Sequence, residues 1–264
     1  MSFNPLALVL VGWIAAAVLM TLLWLVQRVQ HNAAIADVGW CFGLGLVVIW
    51  YALVAYGDQD RRLLLVVMGW IYAFRLGLYI FLNRVLGKPE DGRYQRMRRE
   101  WGERAQLHFF FYFQLQAAAV AVFSLPFLVL MQNSRPTFSL WELGGILLWL
   151  IAITGESVAD WQLATFRAKP WNRDRVCRDG LWRYSRHPNY FFEWLHWWAY
   201  VLMGIEVSNG WITLIGPVFM GWALLRVTGI PLAEAQALAT RGEEYHAYQR
   251  TTSAFIPWFP KRGV

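Results

Sequence analysis

Residues 6–26 read LALVLVGWIAAAVLMTLLWLV and contain no charged side chain. A helix of this length, about 30 Å at 1.5 Å per residue, crosses the hydrocarbon core of a bilayer. No Lys or Arg precedes the run, and it lacks an obvious small-residue cleavage site, so we expect a retained helix rather than a signal peptide. This stretch places the chain among integral membrane proteins.

Six more apolar runs of similar length follow the first. Apolar residues make up 58% of the 264 positions and charged residues only 16%, which is too few for an ordinary soluble surface. We therefore expect an all-α integral membrane fold with seven transmembrane helices in a single domain, residues 1–264. The later runs lie at residues 35–56, 63–82, 109–131, 140–158, 190–207 and 211–231.

The basic residues alternate between the loops. Most lie in residues 83–108, in residues 161–189 and after residue 240, whereas the opposite side has mainly Arg61, Arg62 and Arg135. The positive-inside rule then places the C-terminus in the cytoplasm and the N-terminus outside. This asymmetry and anionic lipid headgroups explain the net charge of +7, so no nucleic-acid partner is expected.

The sequence contains neither common metal-binding motifs nor the nucleotide-binding motifs of soluble folds. The five histidines show no paired ligand spacing, and neither HExxH nor CxxC occurs, so no metal site is expected. Cys41 and Cys177 fall on different predicted levels, which argues against a disulfide. GxGxxG and GxxxxGK[ST] are also absent, so any nucleotide must be held by another kind of scaffold.

The first two predicted polar sites lie on the second and third helices. Asp37 is either a buried functional acid or a helix-end carboxylate wetted at the interface. Along the third helix, Tyr72, Arg75, Tyr79 and Asn83 follow at i, i+3, i+7 and i+11, which places them on one face. That face is either functional or an interhelical hydrogen-bond seam with a snorkelling arginine.

The fifth and sixth helices carry the other two sites. Glu156, Asp160 and Arg167 are spaced to share a face if the helix continues, where the acids suit an amide or ribose hydroxyls and the Arg suits phosphate. Their alternative is a salt-bridge cluster at the headgroups. On the sixth helix, one face carries Asn189, Glu193, His196 and Tyr200, and an acid inside a predicted span needs a partner.

Together these residues resemble the steroid 5α-reductase family, in its bacterial membrane branch of unassigned substrate. The likeness covers most of the chain and is most specific in the last 120 or so residues. It runs through Tyr72, Arg75, Tyr79, Leu82, Asn83 and Arg84, and then through Glu156, Asp160, Arg167, Gly180, Leu181, Tyr184, Asn189, Tyr190, Glu193, Tyr245, Tyr248, Phe255, Ile256 and Pro257.

The resemblance implies a monomeric reductase of the bacterial inner membrane that holds NADPH in a cytoplasm-facing cavity. Its substrate would be a 3-oxo-Δ4 steroid or a similar lipophilic enone, with hydride delivered to the β-carbon. Tyr72 matches the tyrosine that hydrogen-bonds the ketone, and Asp37 stands where the family has a catalytic glutamate. The cofactor contacts, mostly in the part from about residue 140 to 264, would be Asn83, Arg84, Glu156, Asp160, Arg167, Tyr184, Asn189, Glu193 and Tyr245.

Two positions depart from that family pattern, because Asp37 is shorter than Glu and Glu156 replaces an amide. A rival likeness also exists. Arg186, His187, Pro188 and Tyr190 resemble the RHPxY signature of integral-membrane isoprenylcysteine and phospholipid methyltransferases, which use S-adenosylmethionine. Glu193, where that pattern commonly has Gly, favours the reductase. A non-enzymatic sterol-binding protein is the third hypothesis.

Overall fold

The computed structural model describes residues 4–172 and 174–261, and these fold into helices without a β-strand. One isolated bridge pairs Ser185 with Ser253. Short 3-10 turns and two π-helical turns, Phe81–Val85 and Ala223–Val227, join the α-helices. The α-helices are α1 Pro5–Gln30, α2 Ile35–Val54, α3 Gln59–Ile80, α4 Gly92–Trp101, α5 Ala105–Met131, α6 Leu140–Arg167, α7 Pro188–Gly204, α8 Ile215–Trp222 and α9 Ile230–Thr251.

In the part of the chain that the structure describes, six helical segments are long and apolar enough to cross a membrane, so the chain is a multi-pass membrane protein. They correspond to six of the seven predicted runs. The remaining run, residues 190–207, lies mostly in α7, whose 17 residues are at the short limit for a crossing. The last segment, Gly210–Thr251, is apolar only up to the π-helical turn, because α9 carries Glu234, Arg241, Glu243, Glu244 and Arg250.

The chain divides into two compact units. Unit 1 comprises Met1–Ser139 with Gly204–Ile215, and unit 2 comprises Leu140–Met203 with Gly216–Val264. In unit 1, α2 packs against α1, α3 and α5. Glycines allow the close approach of α2 and α3: a Cβ on Gly45 would lie 2.7 Å from the Trp70 ring, and one on Gly77 would lie 3.0 Å from the Phe42 ring.

In unit 2, glycines on α6 set its distance from α7. A Cβ added at Gly145 would lie 2.6 Å from the Ala199 carbonyl oxygen, and one at Gly155 would lie 2.5 Å from the Phe192 ring. Small residues let membrane helices bring their backbones together in this way. The polar side chains of the two helices are therefore held at short range.

Gly145→Ala is expected to destabilise the protein by roughly 1–3 kcal/mol, because the new methyl group meets backbone that cannot move aside as a side chain can. Thermal unfolding in detergent micelles measures this. Gly144→Ala is the matched control, since nothing lies within 4 Å of a Cβ there and Ala favours the helix. Equal melting temperatures for the two variants would contradict the close α6–α7 contact.

Candidate functional site

Two buried acids lie on α6. Glu156 is 3% exposed and Asp160 is 4% exposed, and they are one turn apart. Because α6 continues without a break to Arg167, the predicted spacing of the three residues holds. Arg167 lies exposed at the end of the helix. The helix thus carries two buried carboxylates near its C-terminal end and an exposed guanidinium group at its last residue.

The first turn of α7 contacts one of these acids, Asp160. The Asn189 amide nitrogen donates to Asp160 Oδ1 at 3.1 Å. Its carbonyl oxygen is buried and has no hydrogen-bond partner among the residues that the structure describes. One turn further, Glu193 is buried and accepts a hydrogen bond from Trp197 Nε1 at 3.4 Å. A buried carbonyl oxygen such as that of Asn189 costs free energy unless a ligand or water donates a hydrogen bond to it.

The polar face of α7 continues deeper. His196 and Tyr200 are both fully buried, with 3.3 Å between the histidine Nε2 and the tyrosine hydroxyl. The Trp149 ring from α6 lies 6.3 Å from the His196 ring. These side chains pack tightly among aromatic rings, so they extend the polar face without opening it.

A second polar cluster in unit 2 is centred on Glu234 of α9. Arg186 Nε donates to its carboxylate at 2.6 Å, and Gln249 Nε2 donates at 2.9 Å. The Tyr245 hydroxyl donates at 3.4 Å. The Arg186 guanidinium also donates to the carbonyls of Gln249 and Thr252, at 3.1 and 2.6 Å. The cluster fastens the start of α7 to α9 and to the chain that follows it.

Sequence reasoning missed Glu234. The residue is the single acid in the apolar stretch PLAEAQALA, which was the only available signal. Tyr245, predicted as a cofactor contact, belongs to this cluster and is buried. Tyr184, also predicted as a cofactor contact, is 36% exposed, and its backbone carbonyl accepts a hydrogen bond from the Trp258 amide.

The cluster shifts two pKa values. Burial alone would raise the pKa of Glu234, but hydrogen bonds from His187 and Arg186 outweigh it and lower the pKa to about 2. Burial lowers the pKa of His187 below its ordinary 6.5, against the pull of Glu234. The His187 ring stacks on Tyr190 at 5.4 Å. At neutral pH the cluster therefore holds an ionised Glu234 beside an uncharged His187.

Acidification should destabilise the protein from pH 6.5 downward. A histidine with a lowered folded pKa stays neutral while the unfolded chain takes up a proton, so its contribution is complete above 6.5 and falls below it. Glu234 adds a second loss between its ordinary 4.5 and about 2. His187→Gln should flatten the first stage in thermal unfolding from pH 7.5 to 5, whereas His246→Gln, at an exposed site, should not. A His187→Gln curve parallel to the wild type would refute this assignment.

In unit 1, Asp37 lies in the first turn of α2 and is paired. Arg93 donates to Asp37 Oδ2 at 2.6 Å, and the Tyr94 hydroxyl donates to Oδ1 at 2.8 Å. Tyr112 lies 3.2 Å from the Tyr94 hydroxyl, and Gln116 donates to Tyr112 at 3.0 Å. Sequence reasoning missed Arg93 and Tyr94, because α4 meets Asp37 across more than fifty residues of chain.

Tyr72 is fully buried on α3. Its ring meets the edge of Trp40 at 6.4 Å, and Trp40 lies one turn after Asp37 on α2. Tyr72 and Asp37 are therefore placed on adjoining levels of the α2–α3 interface.

The far end of the predicted stripe on α3 has a different geometry. The α-helix ends at Ile80 and the chain winds into the π-helical turn, which rotates Asn83 away from an ideal α-helical position. Asn83 is exposed, and its amide donates to the Tyr79 carbonyl at 2.8 Å. The Arg84 guanidinium lies 3.9 Å from Asp91, and its backbone carbonyl accepts from Asn32.

Within residues 4–172 and 174–261, no group of three or more His, Cys, Asp or Glu side chains is placed to hold a metal ion. A sequence model of one family, described as "Protein of unknown function (DUF1295)", matches residues 23–252. The chain belongs to this family. DUF1295 is associated with steroid 5α-reductase-like proteins. No curated protein and no solved structure shows significant similarity to the chain. The matched region of this DUF1295 member includes every candidate residue from Asp37 to Tyr245.

Proposed function

We propose that the protein is a membrane-embedded, NADPH-dependent reductase of an enone C=C bond. The observation that carries the proposal is the hydrogen bond from Asn189 to the buried Asp160, which leaves the buried Asn189 carbonyl oxygen as an acceptor for a ligand. The same two helices carry the buried acids Glu156, Asp160 and Glu193. Such a surface suits a ligand that presents N–H and O–H groups.

The nicotinamide half of NADPH fits these residues. Its carboxamide donates two hydrogen bonds and its ribose carries hydroxyl donors, which match Asn189, Asp160, Glu193 and Glu156. Arg167 at the open end of α6 is suited to a phosphate, because guanidinium binds phosphate oxygens in pairs. When bound, the cofactor supplies the hydride that reduces the enone β-carbon.

Tyr72 and Asp37 of unit 1 would act on the substrate carbonyl. The Tyr72 hydroxyl donates a hydrogen bond to the ketone oxygen and stabilises the negative charge that grows there. Asp37 is held by Arg93 and Tyr94, and the charge of Arg93 offsets that of the carboxylate. Because Arg93 neutralises its charge, Asp37 would not repel the negative charge that develops on the ketone oxygen.

We also propose α7 as the seventh crossing, the N-terminus outside and the C-terminus in the cytoplasm of the bacterial inner membrane. The distribution of Lys and Arg supports this orientation. The substrate would then be a steroid-like or other lipophilic enone that reaches the protein from the bilayer.

The second candidate is an S-adenosylmethionine-dependent methyltransferase. The buried acids Glu156, Asp160 and Glu193 favour it too, because carboxylates also attract the sulfonium and ammonium groups of that cofactor. Arg186 and His187 of the RHPxY signature are engaged with Glu234, so their side chains support neither candidate over the other.

Ligand-dependent thermal stabilisation distinguishes the two candidates. NADPH at about 100 times its dissociation constant should stabilise the protein by roughly 2.7 kcal/mol, and S-adenosylmethionine should have no effect. Asn189→Leu should abolish the NADPH effect, whereas Gln236→Leu, which removes an exposed amide on α9, should preserve it. Stabilisation by S-adenosylmethionine alone would favour methyl transfer.

A further inference from the structure

Unit 2 carries an exposed aromatic patch outside all six segments that are apolar enough to span a membrane. Ile256, Trp258 and Phe259 are 58%, 70% and 76% exposed. They lie in residues 255–261, which we call the C-terminal strap. A place on a transmembrane helix therefore does not account for their exposure, and large exposed apolar patches usually mark an interaction surface.

The strap is fastened to the rest of unit 2. The Trp258 amide donates to the Tyr184 carbonyl at 2.9 Å, and Ser185 Oγ donates to the Phe255 carbonyl at 2.8 Å. The Phe255 ring is buried 5.6 Å from the Trp194 ring. Because the backbone is held at several points, the outward position of the aromatic side chains is part of the fold and not the fraying of a chain end.

The exposed rings form one surface with a basic edge. Phe259 meets Tyr184 edge-on at 6.1 Å and Trp258 at 6.5 Å. Arg183 directly precedes Tyr184, and Lys261 lies two residues after Phe259; both side chains are exposed. Residues 251–261 contain no acid. The surface therefore combines amphipathic rings with positive charge.

We propose that the C-terminal strap and Tyr184 bind the anionic headgroup layer of the membrane. Trp and Tyr prefer the headgroup level, where the ring is apolar and the N–H or O–H stays wet. Anionic lipids attract Lys and Arg near the membrane surface. The strap then anchors unit 2 at the membrane surface, independently of any catalytic activity.

A nitroxide spin label in lipid nanodiscs tests this proposal. The label is attached at Ile256→Cys in a background with both native cysteines replaced by Ala, and at Glu243→Cys on α9 as the matched control. The label at 256 should be more accessible to oxygen than to a water-soluble nickel chelate, and the label at 243 should show the reverse. Immersion at 256 should increase when phosphatidylglycerol is added to phosphatidylcholine.

Charge and ring variants complete the test. Arg183→Glu with Lys261→Glu should remove the effect of phosphatidylglycerol, and Trp258→Ser with Phe259→Ser should bring the label at 256 into water. All four side chains are exposed, so the melting temperature should be unchanged. Equal accessibility at 256 and 243, or no dependence on phosphatidylglycerol, would overturn the proposal. Dipolar coupling between labels on two copies would instead assign the surface to a second copy of this chain.

Discussion

Tyr72→Phe should lower the turnover of an enone substrate roughly 10²–10³-fold, the usual cost of removing one hydrogen-bond donor to a developing oxyanion. The ring stays in place against Trp40, so packing is preserved and only the hydroxyl is lost. Stabilisation by NADPH should be unchanged, because the contacts proposed for the cofactor are on α6 and α7 and Tyr72 is on α3. Steady-state NADPH oxidation with progesterone, a 3-oxo-Δ4 steroid, measures the change.

Tyr56→Phe is the matched control for this variant. Tyr56 is 60% exposed and belongs to neither proposed site, so the loss of its hydroxyl should leave turnover unaltered. Full activity of Tyr72→Phe would remove Tyr72 from the proposed chemistry while leaving the cofactor site unaffected.

Glu234→Ala is expected to cost roughly 3 kcal/mol of stability, the lower end of the range for removing one partner of a buried ion pair, because this pair is partly exposed. The side chains of Arg186 and Glu234 are only 10% and 16% exposed. Without Glu234, the Arg186 guanidinium keeps its two backbone acceptors but loses its counter-charge, and Gln249 and Tyr245 lose their acceptor. Thermal or denaturant unfolding in micelles measures the loss.

Glu243→Ala provides the comparison on the same helix, because Glu243 is exposed and should change stability by no more than about 0.5 kcal/mol. If Glu234→Ala and Glu243→Ala have the same free energy of unfolding, the hydrogen bonds of Glu234 do not stabilise the fold as proposed.

Hydropathy predicted the membrane helices because each apolar run must satisfy its own backbone inside the bilayer. Six runs correspond to segments that can span. The shared face of Glu156, Asp160 and Arg167 was conditional on the helix continuing beyond the apolar run, and α6 does continue to Arg167. The π-helical turn after Ile80 could not be predicted, since nothing in FLNRV distinguishes it from a continuing α-helix.

Contacts within the candidate site were less predictable than its helices. Periodicity placed Asp160 and Asn189 on suitable faces, and the structure joins them directly. The pairing of Asp37 with Arg93 and Tyr94, and of Arg186 with Glu234, depends on the packing of α4 and α9. Helical spacing is local, so it carries no information about partners this far apart in the chain.

Product analysis of one reaction tests the central claim most directly. Purified protein in nanodiscs is incubated with NADPH and a panel of enones that includes progesterone, and the products are identified by mass. The proposal predicts oxidation of NADPH and a product heavier than its substrate by two hydrogens. No NADPH consumption with any enone, together with methyl transfer from S-adenosylmethionine to an isoprenylcysteine or phospholipid acceptor, would contradict it.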